Sequence, residues 1–285
     1  MRYETPRALR SALEARILTH ARVHALDPGQ VRRRVVFQRV LSRLANDDSW
    51  VLKGGFLLEA RLPNVARSTR DLDLVREGSS AQIEEALLRA LSATHENDFF
   101  RFVITRSTLL SQDSVGLSGF RFGVEATLDG RTFERIRIDV VERMVEVRGG
   151  TEAMTIDSPI TGVELGPAHV LAVDVAQHAA ENFHAMSRIY AGNRPSTRVK
   201  DLVDVVLLAE AGLLPHPHLL DRLLVVFHER DGVAPDDQLP PPPASWKDDY
   251  AAIAASLVVS ANTLSEAFAL ADSIYSKALA MRVTP

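Results

Sequence analysis

Residues 66–77 read ARSTRDLDLVRE, and within them Asp71 and Asp73 are separated only by Leu72. Side chains of an extended strand alternate between its faces, so positions i and i+2 point the same way. The two carboxylates therefore share a face. At that spacing they repel, and one takes up a proton unless a cation lies close by. A third aspartate, Asp139, sits in ERIRIDVV, where Ile136, Ile138 and Val140 alternate with Arg135, Arg137 and Asp139. Three carboxylates on neighbouring strands make an all-oxygen donor set, which hard cations such as Mg²⁺ (or Mn²⁺) accept beside substrate phosphates. Two such ions about 4 Å apart can hold the attacking and leaving oxygens of an in-line displacement. Upstream, Lys53-Gly54-Gly55 reads as a turn into a helix, where backbone N–H groups and the helix dipole favour a phosphate. An Asp-x-Asp pair alone is a weak signal. Joined to the Gly-Gly turn and the later strand aspartate, it points to phosphate chemistry.

Those residues need elements to position them. Helices are expected at 6–24 and 28–46, the second opening on Asp27 as cap and Pro28 in the first turn. A short strand at 50–52, the Lys-Gly-Gly turn and a helix from Phe56 to Arg61 precede the strand 71–75. An amphipathic helix at 79–95 and a strand at 100–107 follow. Two further strands within 119–147 join at Asp129-Gly130, a strong hairpin signal. Residues 148–165 read as irregular. Helices are then expected at 166–191, 198–212, 216–229, 247–259 and 262–281, with the proline run 240–243 as a rigid corner. The pattern predicts an α+β chain with a mixed-sheet core and a helical lobe behind it. The expected domains are 1–160 and 161–285, the second closing an active-site cleft.

Composition narrows the classes. With 285 residues, 46% hydrophobic and 25% charged, the chain is an ordinary globular protein with an ample core. The formal net charge of −4 does not mark a nucleic-acid binder, although only four of the 33 basic residues are lysine. Arginine suits bidentate phosphate contacts, and a GC-rich genome raises its frequency without any such reason. The absence of cysteine excludes disulfides and thiolate metal sites. No secretory signal or membrane-length apolar run is present, so a cytoplasmic protein without membrane partners is expected. The nine histidines show no metal spacing, and His178, His184, His216 and His218 read as structural. Arg32-Arg33-Arg34 with Arg39 and Arg43 could meet an RNA backbone, but a solvated helix face is the simpler reading.

LKGGFLLEARL, ARSTRDLDL and RIDVV together resemble the AbiEii/AbiGii (MenT-like) nucleotidyltransferase toxins of the DNA polymerase β superfamily. Lys53, Gly54, Gly55, Arg67, Thr69, Asp71 and Asp73 match the family's first motif position by position. Asp139 stands where its third carboxylate is expected. VKDLVDVVLL, with Asp201 and Asp204, resembles a later helix of the family, and LPPPPASWKDDY its Pro-rich, Trp-containing segment. One departure is clear: AENFHAM places Asn182 where the family carries a lysine directed at nucleotide phosphates. His178, Arg188 or Lys200 could supply that charge instead.

The resemblance implies Asp71, Asp73 and Asp139 as catalytic metal ligands. It implies Lys53, Gly54, Gly55, Arg67, Thr69, Asn182 and Asp204 as NTP-binding residues. Asp204, on an otherwise apolar helix stretch, needs a partner, either the residue at 182 or a basic phosphate ligand. The Thr69 hydroxyl could touch substrate, and a phosphate there would set about −2 charge beside three carboxylates. The implied activity is transfer of a nucleotide from NTP to an RNA 3′ end, with tRNA as acceptor and blocked translation as outcome. A cognate antitoxin is the implied protein partner, and DNA is not expected. A nucleotidyltransferase acting on a protein side chain, or a non-catalytic NTP- or RNA-binding relative, remain alternatives.

Overall fold

The computed structural model describes residues 3–45, 47–93, 98–110, 119–142, 144–190, 192, 194–215 and 217–282. The expected helix ends at 46, 94–95 and 191, and His216, lie outside the described residues. The elements run α1 (Pro6–Val23), α2 (Pro28–Leu44), β1 (Val51–Lys53), α3 (Gly54–Arg61), β2 (Asp71–Val75), α4 (Ser80–Ser92) and β3 (Arg101–Leu110). They continue β4 (Gly119–Leu128), β5 (Arg131–Val141), α5 (Met144–Val147), β6 (Thr151–Ile156), β7 (Ala168–Val173), α6 (Val175–Ser187) and a small hairpin of β8 (Ile189–Tyr190) and β9 (Arg194–Pro195). Four helices follow: α7 (Val199–Glu210), α8 (Leu219–Asp231), α9 (Trp246–Ala254) and α10 (Leu264–Leu279). The chain forms two compact units, one of residues 1–60, 68–144 and 152–172, the other of 61–67, 145–151 and 173–285.

The first unit is built on a seven-stranded sheet in the order β3-β4-β5-β2-β1-β7-β6. β2 runs parallel to β5 and antiparallel to β1, and β4–β5 is the hairpin. Asp129 (φ 55) and Gly130 (φ 66) both take positive φ, as a two-residue hairpin turn of the primed type requires. Register then slips by one residue between Ala126 and Thr127, leaving Phe133 as an extra residue on β5. Because the side-chain period is two, such a bulge resets which residues share a face. Beyond it Phe120, Phe122, Leu72, Leu74, Ile138 and Val140 are all buried. α2 packs on β5 and α4, and its Phe37 meets Phe56 edge-on at 5.0 Å. The polar positions of β2 and β5 lie on the sheet's other face.

The arginines of α2 correct the solvated-face reading. Arg34, Arg39 and Arg43 are buried. Arg43 grips Asp98 through two bonds of 2.8 Å, and Arg34 pairs with Glu59. Arg39 donates to Gly166 O at 2.6 Å, and burial lowers its guanidinium to about 10, with Asp98 opposing the shift. These three are internal staples rather than an RNA-facing stripe. Arg32, less buried, bridges Glu14 at 2.7 Å.

In the second unit α6 packs against α7 and α8, and α10 against α7. Two expectations fail in the first unit's sheet. Residues 168–173, expected as the start of a long helix, form β7, which pairs in parallel with β1. Residues 151–156, expected to be irregular, form β6. The helix proper starts after Asp174, whose carboxylate caps it by accepting from Gln177 N–H at 2.7 Å. Trp246 in the Pro-rich segment is buried and donates Nε1–H to Ser196 O at 2.9 Å.

Candidate active site

Strand register assembles the charged face of the sheet. Lys53 on β1 lies opposite Asp73 on β2, Asp73 opposite Asp139 on β5, and Asp139 opposite Arg121 on β4. Cα partners share a face, so a row Lys53–Asp73–Asp139–Arg121 crosses four strands, each step about 4.8 Å. One pleat along, Asp71 lies opposite Arg137, and Arg137 opposite Gly123. The positive groups that two adjacent acids require are therefore present. Arg121 donates from Nε and Nη2 to both Asp139 oxygens, at 2.8 and 2.6 Å. Arg137 donates to Asp71 at 2.5 Å. The hydrogen bond to Asp139 raises the Arg121 pKa above its ordinary value, and the charges of Asp139, Asp71 and Asp73 add to the effect.

Gly54 explains itself against Asp73. It holds φ +68, and a Cβ there would run into the Asp73 carboxylate. The first residue of α3 thus has to lack a side chain for Asp73 to lie against it. α3 begins at Gly54 itself, two residues earlier than the expected Phe56. At its far end, Glu59 is buried and accepts the backbone N–H of Thr69 while pairing with Arg34. That bond fixes the approach to β2. The Thr69 hydroxyl donates to Asp71 O at 3.4 Å, and Arg70 is exposed.

Three residues that hold this acidic face were not singled out from the sequence: Arg121, Arg137 and Glu59. Arg121 alternates with buried Phe120 and Phe122, so its face was readable. Its partner was not, because unbulged counting from the Asp-Gly turn sets Arg121 opposite Ile138.

Within the helical unit, Arg67 binds Asp204 bidentately at 2.7 and 2.6 Å. Of the two partners foreseen for Asp204, the basic residue is the one it holds. Burial pushes the Asp204 carboxyl up to about 6, with Arg67 pulling it back. Asn182 is buried, and its Nδ2 has no acceptor among the described residues. Of the substitutes for the absent lysine, His178 is buried, Lys200 is exposed and Arg188 lies over the Tyr190 ring at 5.0 Å. Asp201 is held by Arg198 at 2.7 Å. Nearby, Arg230 clamps Glu146 and reaches Glu181 at 3.4 Å, with Gln177 donating to Glu181 at 3.0 Å.

Asp73 and Asp139 in register, with Asp71 one pleat away, supply hard oxygen donors of the kind Mg²⁺ takes. Among the described residues no three acidic or histidine groups converge as a ready-made cage, and two of these three acids are turned onto arginines. The donor set suits a divalent ion, provided the arginines yield.

The fold is similar to that of solved nucleotidyltransferases. MenT4, a nucleotidyltransferase toxin from Mycobacterium tuberculosis H37Rv, aligns over 95% of this chain and 90% of its own, with TM-score 0.56 and 17% identity. JHP933 from Helicobacter pylori covers 88% and 94% respectively, with TM-score 0.46 and 15% identity. No curated protein matches the sequence. The family model for the nucleotidyl transferase AbiEii toxin of type IV toxin–antitoxin systems matches residues 35–272, and the chain belongs to that family. Membership implies an NTP substrate and an antitoxin partner. Among the described residues no helix is long and apolar enough to cross a membrane.

Proposed function

We propose that this nucleotidyltransferase toxin joins a nucleotide to the 3′ end of tRNA in a Mg²⁺-dependent reaction and thereby blocks translation. The observation that carries the reading is the row in which Asp73 and Asp139 face each other across β2 and β5 between Lys53 and Arg121. Asp71, Asp73 and Asp139 would hold Mg²⁺ or Mn²⁺, and the bound ion would supply charge neutralisation at the reacting phosphate. The chain's own residues do the rest. The backbone at Gly54 and Gly55 lets triphosphate oxygens come close, and Lys53 provides an ammonium at the edge of the row. Thr69, pinned through its N–H by Glu59, presents a hydroxyl beside Asp71. Asp139 accepts the proton of the attacking 3′-hydroxyl. The 3′ oxygen forms its bond to the α-phosphorus as the bond to the β-phosphate oxygen breaks, and pyrophosphate leaves.

The reading is tested by incubating total tRNA and total cell protein with the protein, Mg²⁺ and each labelled NTP in turn. Label in the tRNA band, lost in Asp73→Asn, is expected. Label in protein instead favours side-chain modification, and label in neither overturns transfer.

A further inference from the structure

The acidic face is already neutralised from within. Asp71, Asp73 and Asp139 share it with Arg137, Lys53 and Arg121; Arg121 pairs directly with Asp139 and Arg137 with Asp71. Both oxygens of Asp139 are taken by the Arg121 fork. A divalent ion that uses Asp139 therefore competes with that fork, and one that uses Asp71 competes with Arg137 for Oδ1. Neither arginine is buried: the side chains of Arg121 and Arg137 are 39% and 47% exposed, against 14% for Asp139. Pairs that open to solvent add little to stability, so little holds them closed. The β4 residue directly opposite Arg137 is Gly123, which has no side chain to confine it.

Resting on the transfer reading above, we propose that Arg121 and Arg137 are exchanging counter-ions. They occupy the carboxylates while the site is empty, and move to the triphosphate when metal takes the carboxylates. A guanidinium fork fits a phosphate as well as it fits a carboxylate, and both arginines remain tethered to strands of the same face. Charge requires the two events together. Metal alone would leave three bases and the added cations on one face. A triphosphate carries about as much negative charge as two divalent ions carry positive, so metal and nucleotide together restore balance. Arg121 and Arg137 thus become positioning residues for the nucleotide, and metal retention depends on nucleotide being present.

The test compares wild type with Arg121→Gln, Arg137→Gln and Arg121→Lys. Mn²⁺ binding without nucleotide is read by electron paramagnetic resonance. Binding of each α,β-methylene nucleoside triphosphate in Mg²⁺, which cannot react, is read by calorimetry. Arg121→Gln should bind Mn²⁺ about tenfold more tightly and the preferred analogue about tenfold more weakly, the scale of one charge-assisted hydrogen bond. Arg137→Gln should shift both in the same directions, and Arg121→Lys should recover part of the analogue affinity. Weakening of both ligands would show a merely structural pair and overturn the proposal. Tighter Mn²⁺ with unchanged analogue binding would leave the arginines as blockers and overturn the exchange. If wild type itself binds no analogue in Mg²⁺, the transfer reading fails and the exchange with it.

Discussion

Replacing Gly54 by alanine isolates the contact that seats Asp73. Two costs add. The φ of +68 is strained for any residue with a Cβ, worth about 1–2 kcal/mol. The new methyl would also overlap the Asp73 side chain, and such overpacking costs about 1–3 kcal/mol. Gly130 supplies the control within the same unit, since it has nearly the same φ, +66, and open space where its Cβ would stand. Gly130→Ala should therefore lose only the strain of about 1–2 kcal/mol, and Gly54→Ala about 1–3 kcal/mol more. Urea titrations with the m-value checked for constancy give both numbers. In an Asp73→Gly background the excess should vanish, because the atoms that clash are gone. Transfer activity should be lost in Gly54→Ala and retained in Gly130→Ala. If Gly54→Ala is no more destabilising than Gly130→Ala, the packing of Asp73 against this turn is wrong as described.

Other perturbations separate site from scaffold. Asp71→Ala removes one partner of a solvent-open pair, so stability should change by no more than about 1 kcal/mol while transfer is abolished; a larger loss in denaturant titration would make Asp71 structural. Arg67→Ala leaves Asp204 buried and unpaired, which should cost about 3–5 kcal/mol, and Arg67→Ala with Asp204→Leu should recover most of it. The folded-state pKa of Asp204, about 6, lies above its ordinary 3.8, so its contribution is complete below about pH 4 and is lost as pH rises through 6. The stability of wild type relative to Asp204→Asn should fall on the order of 3 kcal/mol across that window, and a rise would contradict the burial argument. Asn182→Lys puts an ammonium into a buried helix position. It should lower the melting temperature without ligand, and NTP should restore more of it than in wild type; equal shifts would remove position 182 from the phosphate site.

Much of the acidic face was legible because strand periodicity is rigid. Asp71 and Asp73 on one side, Ile136-Ile138-Val140 against Asp139, and the Asp129-Gly130 turn all follow from a period of two. The cross-strand partners were not legible, since they depend on the bulge at Phe133. Its trace exists as a spacing of three between buried Phe133 and Ile136 where two is expected. β7 was absorbed into a helix because AHVLAV is short and apolar without distinctive period. Asp174, a cap residue in the middle of the supposed helix, marked the true start. The α2 arginines misled for a different reason. Their acids, Glu59 and Asp98, lie far along the chain, and nothing local distinguishes a buried paired arginine from a solvated one.

The helical unit is threaded from three separate pieces of chain, since 61–67 and 145–151 join 173–285. A gene cut at codon 160 would therefore not release two independent products. The front fragment would lack β7 and leave the β1 edge of the sheet bare, while the rear fragment would lack Arg67 and strand the Asp204 carboxylate. On the ribosome, Arg67 waits for Asp204, 137 residues later, so incomplete chains carry Asp71, Asp73 and Asp139 without a finished helical unit. Frameshifts and nonsense changes as late as α7 should accordingly score as complete loss of toxicity in a genetic screen, and complementation by co-expressed halves should fail at 160.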